Sequence, residues 1–171
     1  MTDDSTGVGS DVAVENAVTG TFVVTHADEN SAVLRDVETA QVHTLTANPD
    51  FDEHDVIEAT VAPEPPMGVA WEVADLVDHW TVDVIDSDLS PTTHERDLAD
   101  DLAVGDLETV ERAGTGEIHV LSVPPGEVEA AAADVVDDVE TVARAARLDA
   151  VRVEVRRDGS EGVLSVRYLP D

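Results

Sequence analysis

The chain has 171 residues, no cysteine and no lysine, and its 39 acidic residues face nine arginines for a formal net charge of -30 at pH 7. Those counts exclude disulfides, thiolate metal centres and cysteine nucleophiles. A hydrophobic content of 42% also excludes the class of acidic chains that stay disordered because they have too little apolar surface to bury.

Self-repulsion of this size works against a compact state in dilute buffer, whereas the screening length falls from about 10 Å at 0.1 M salt to about 3 Å at 1 M. The composition therefore predicts a folded protein of a salt-loaded cytoplasm. Arginine in place of lysine fits that solvent, since guanidinium is more weakly hydrated and pairs with carboxylates in a planar fork. Residues 1–10 are acidic and polar where a secretory signal is basic and then apolar. No stretch approaches the roughly 20 apolar residues that span a bilayer, so the expectation is a soluble cytoplasmic protein without a membrane partner.

Residues 1–19 are acidic and aperiodic and read as a flexible tail. From Gly20 the pattern changes to short Val- and Thr-rich runs: Gly20–His26, Ser31–Val37, Ala40–Thr46, Asp55–Ala62, Val69–Asp78 and Trp80–Asp86. Turn-formers separate them, including Asn48-Pro49-Asp50 and Pro63-Glu64-Pro65-Pro66. So many short strands leave free edges when laid flat. Closure hides those edges, which predicts a small OB- or SH3-like β-barrel over 20–86.

After a linker at 87–90, Ser90-Pro91 offers a cap and a first helical position. Leu98, Leu102, Leu107 and Val110 follow at roughly helical spacing, with Gly105 as a candidate bend. Glu117–Val123 reads as a strand. Pro124-Pro125 opens a helix with Val128, Ala131, Ala132, Val135 and Val136 on one face, and Asp137 with Glu140 has the form of a capping box for a second helix. Ala150–Arg157 alternates strictly and Gly162–Leu169 returns as its hairpin partner after Asp158-Gly159. Residues 91–171 thus predict an α/β domain with its helices on one face of a small sheet. The fold class is α+β, a small N-terminal barrel followed by an α/β unit that ends in a hairpin.

No motif identifies a reaction. The histidines, His26, His43, His54, His79, His94 and His119, include no pair at the helical spacing of a zinc protease, and no metal site is assigned. Carboxylate runs such as Asp50–Asp55 lack the glycine and terminal glutamate of a calcium loop. Gly114-Thr115-Gly116 stands between helix and strand, the reverse of a phosphate cradle. No serine sits in a nucleophile elbow. No catalytic residue or cofactor follows, and the reading leans against an enzyme.

The exception to uniform acidity is the C-terminal end, where Arg144, Arg147, Arg152, Arg156, Arg157 and Arg167 gather. Arg152 and Arg156 fall on one side of the sheet, and the hairpin register decides whether Arg167 joins them. Pairing within the chain to Glu154 and the acidic helices competes with an interaction patch. A purely ionic grip on about four phosphates loses about 3.6 decades of affinity per tenfold rise in salt, so nucleic-acid binding needs base stacking, for which the barrel offers Phe22, Phe51, Trp71 and Trp80. The candidate interaction residues are therefore Arg152, Arg156, Arg157, Arg167, Trp71 and Trp80. A protein partner is favoured over single-stranded nucleic acid, and the oligomeric state is open.

Several segments taken together carry a resemblance: Gly20–Asp28, Ala32–Val37, Ala62–Met67, His119–Pro125, Ala143–Leu148 and Ser165–Pro170. In these the chain resembles an uncharacterised domain-of-unknown-function family of halophilic archaea. The resemblance extends over nearly everything after the tail and implies no activity, cofactor or site residue.

Overall fold

The computed structural model describes residues 16–65, 67–111 and 116–170. The chain divides between Thr81 and Val82 into two compact units.

The first unit is a closed five-stranded barrel of β1 (Val18–Ala27), β2 (Ala32–Asp36), β3 (Val42–Leu45), β4 (Asp55–Pro63) and β5 (Trp71–Thr81), in the order β1-β2-β3-β5-β4. Neighbours are antiparallel except β3 and β5, which close the barrel in parallel at Leu45 and Trp71. Strand alternation fills the interior with Phe22, Val24, Leu34, Leu45, Ile57, Ala59 and Val61, and Phe51 enters from the β3–β4 loop. Of the expected tail, residues 1–15 lie outside the described residues, and Val18 and Thr19 already pair with Val61 and Thr60 of β4.

The sequence predicts two strands between Val69 and Asp86, but β5 runs unbroken across His79 because that residue keeps its ladder position opposite Ile57. Against β4, Ala74 and Val77 are extra residues at two register shifts. Such bulges bend and twist a strand, which lets eleven residues wrap a barrel this small.

The second unit holds β6 (Asp83–Asp86), α1 (Thr93–Asp100), β7 (Leu107–Glu111), β8 (Glu117–Ser122), a 3-10 turn at Pro125–Glu127, α2 (Val128–Asp137), α3 (Val139–Arg147), β9 (Arg152–Asp158) and β10 (Val163–Leu169). Its sheet has the order β6-β9-β10-β8-β7. Residues 83–86, grouped by sequence with the barrel, instead pair in parallel with β9.

The helix expected through Val110 stops at Asp101. Gly105 then turns at φ 93°, and Leu107–Glu111 alternates as an edge strand. The start of α1 is fixed by a capping box at Thr92 and Glu95 rather than by Ser90-Pro91, and α3 is capped by Asp138 rather than Asp137.

The helices occupy both faces of the sheet, correcting the one-face expectation. Ladder partners share a face, so Ser165 with Val120 and Val166 with His119 define opposite sides. On the first side α1 sets Ala99 against Ile118, Val120 and Val163, and its buried Glu95 accepts the Ser165 hydroxyl hydrogen bond at 2.9 Å. On the second, α2 and α3 cover β9 and β10.

Candidate functional site

One end of the barrel is built by two loops held together by Asn48. Its side-chain amide donates to the Asp28 carbonyl (2.8 Å) and the Phe51 carbonyl (3.0 Å), and its oxygen accepts from the Phe51 N–H (2.7 Å). Asp28 itself caps the β1–β2 turn by accepting from Asn30 and Ser31, bonds that hold its carboxyl below the usual aspartate range. These contacts drive Phe51 into the barrel, where only 2% of it remains exposed. The Phe51 ring lies 5.1 Å from His79, whose Nε2 stands 2.7 Å from the buried Asp55. Asp55 also accepts from the Asp52 N–H and the Thr81 hydroxyl. This Asp–His pair therefore closes the barrel floor.

Beside Asn48 lies a groove of about 230 Å³, with Pro49, Trp71 and Val73 as apolar lining and Glu64 and Glu72 as carboxylate walls. Trp71 is set by its interior neighbour: the indole meets His43 edge-on at 4.3 Å, and His43 meets Phe22 at 5.6 Å. Glu64 is positioned by the Thr46 hydroxyl at 3.1 Å and by the turn that follows it, closed by backbone bonds Glu64 to Ala70 and Gly68 to Glu64. On that turn Met67 and Val69 stand 78% and 77% exposed. Sequence reasoning singles out Trp71 but misses Glu64, Met67 and Val69, because only the β3–β5 closure brings the 64–70 turn to the end of β3.

Residues 18–157 match the family described as a family of unknown function (DUF5812). The chain belongs to that family. The matched span takes in the whole barrel and the second unit as far as β9, so both units are part of what this family shares. No curated protein and no solved structure matches the chain.

Hairpin register places Arg167 opposite Glu154, on the same face as Arg152 and Arg156, so those three arginines do share a side. Arg156 is paired with Glu154 and both are largely buried, whereas Arg152 is exposed. Arg157 points to the other face and joins Asp86 (2.7 Å) and Glu129 of α2 (3.2 Å). Trp80 is half-buried opposite Val56 at the far end of β5 from Trp71. Among the described residues no group of three or more potential ligands is arranged to hold a metal ion. No described helix is long and apolar enough to cross a membrane.

Proposed function

We propose that this protein is a non-enzymatic interaction module whose barrel binds an arginine-bearing, partly apolar segment of a partner protein at the Trp71 groove. The observation that carries the reading is the composition of the groove: an indole and two carboxylates around one small cleft, beside the exposed Met67 and Val69. An arginine is the side chain that stacks on an aromatic face and pairs in a planar fork with carboxylates. Charge agrees, because residues 1–81 contain a single arginine, Arg35. The -30 charge supports a salt-adapted protein of the cytoplasm. In molar salt a contact that adds apolar burial and stacking to charge outlasts a purely ionic one.

Single-stranded nucleic acid is the second reading, and one observation favours it. The order β1-β2-β3-β5-β4 with β3 and β5 parallel supports an OB-type over an SH3-type barrel, and OB-type barrels bind oligonucleotides on the β2–β3 face and adjoining loops. Here those loops carry Asp28, Glu29 and Glu64, which repel a phosphate backbone that needs a cationic track. The protein reading is therefore preferred.

A photo-cross-linking residue at Val69, used on the full chain in cell extract at molar potassium chloride, tests it. Recovery of one partner through an arginine-containing peptide, lost in a Glu64→Gln/Glu72→Gln variant, supports the proposal. Cross-links to nucleic acid, or none above a Val104 control, reject it.

A further inference from the structure

We propose that the second unit carries an oxyanion pocket between β8 and α3, formed by His119, Arg144 and Arg147 and suited to a carboxylate or phosphate group of a small molecule. The cavity measures about 230 Å³ and is lined by Glu117, His119, Arg144, Arg147 and Leu148. This lies below the roughly 300–1,000 Å³ of drug-sized ligand sites, so it fits one anionic group rather than a large molecule. In a chain with 39 acids and nine arginines, a pocket lined by two guanidinium groups and an imidazole against the single carboxylate of Glu117, with Glu140 paired to Arg147, departs from the rest of the surface.

The parts are positioned from behind. Arg144 and Arg147 lie three residues apart on α3 and share a face. The Arg144 guanidinium lies close enough to Tyr168 to oppose the rise in its pKa that burial causes, and the Tyr168 ring packs 4.9 Å from His119. Arg147 is held by Glu140 at 2.7 Å. His119 is only 8% exposed, and its Nε2 is buried without a hydrogen-bond partner. The nearest Glu117 oxygen is 3.8 Å from that nitrogen, beyond hydrogen-bond range.

A buried ring nitrogen left unmatched beside a guanidinium is a donor site that an oxyanion completes. Arginine's fork recognises both carboxylate and phosphate oxygens. Burial, then the charge of Arg144, holds the His119 imidazole below its ordinary pKa. An anion between the two cations offsets that repulsion and raises it. The other ionisable groups around His119 are Glu117, Tyr168 and Arg147, with Glu140 paired to Arg147, and Glu111 stands opposite Glu117 across the β7–β8 ladder.

The test is a titration of the full chain with inorganic phosphate and, separately, acetate, at ionic strength fixed with potassium chloride. The His119 ring resonance is followed by NMR. The expected result is a saturable shift with at least one anion, a higher His119 titration midpoint when it is bound, and affinity at least about tenfold weaker in Arg144→Gln. Whichever anion saturates identifies the carboxylate or phosphate source. Arg147→Gln leaves the Tyr168 contact intact, and the same weakening is expected from it where Arg144→Gln fails to fold. Shifts that stay linear for both anions overturn the proposal, as does a saturable shift unaltered in the folded variants.

Discussion

Phe51→Ala is the sharpest probe of how the barrel is sealed. The ring is 2% exposed within a cluster of Phe22, Leu34, Leu45 and Ile57, and removing a buried phenyl group costs about 3–5 kcal/mol, depending on how far the site collapses. Asn48 fixes the loop through three hydrogen bonds to its own backbone neighbours and to Asp28, so collapse is restricted and the upper half of that range is expected. Both tryptophans, Trp71 and Trp80, lie on β5 of the barrel. Their fluorescence during urea unfolding in molar salt therefore reports on this unit. A loss below about 0.5 kcal/mol, the scale of an ordinary surface change, would refute the role of Phe51 as the plug.

His43 predicts an acid-sensitive barrel. Its ring is 1% exposed with neither nitrogen hydrogen-bonded, and burial lowers its pKa while Asp36 partly opposes the shift. The unfolded chain therefore takes up the proton more readily, so this contribution to stability is present above the ordinary histidine range and is lost as pH falls below about 6.5. His43→Leu should flatten that acid limb in pH-dependent urea unfolding. At pH 8 the change should be small, because lost ring contacts of about 0.5–1.5 kcal/mol each offset the relief of about 1–3 kcal/mol from an unmatched polar group. Gly162→Ala should destabilise the second unit by more than about 1 kcal/mol in thermal unfolding, since Gly162 sits at φ 73° and an added Cβ would fall 2.2 Å from the Val123 carbonyl.

The legible parts of this fold are those written in local periodicity. Alternation in Arg152-Val153-Glu154-Val155 marks a strand, and the tandem helices after Pro125 are visible as an apolar face and a break. Leu107 and Val110 mislead because their spacing of three suits a helix, but Gly105 breaks the chain before them and they belong instead to β7. The side of the sheet that α1 takes depends on Glu95 meeting Ser165, seventy residues away, and no local pattern encodes that.

The candidate sites divide the same way. Trp71 stands out as a rare aromatic residue, but its carboxylate walls flank the β4–β5 turn and barrel closure is what brings Asn48 and Pro49 to them. His119 and Arg144 are each visible, one as a strand histidine and one in the arginine-rich end, while their shared pocket follows from α3 packing on the sheet. Arg167 requires the hairpin register, which the four residues between β9 and β10 set.

Recognition of arginine at the Trp71 groove is tested most directly by an NMR titration of the two indole resonances in molar potassium chloride. The ligand is a peptide with arginines among apolar residues, compared with the same peptide carrying glutamate instead. A saturable shift of Trp71 but not Trp80 is expected with the arginine peptide, abolished by Glu64→Gln/Glu72→Gln. Equal responses to both peptides, or a response at Trp80 alone, would contradict arginine recognition at this groove.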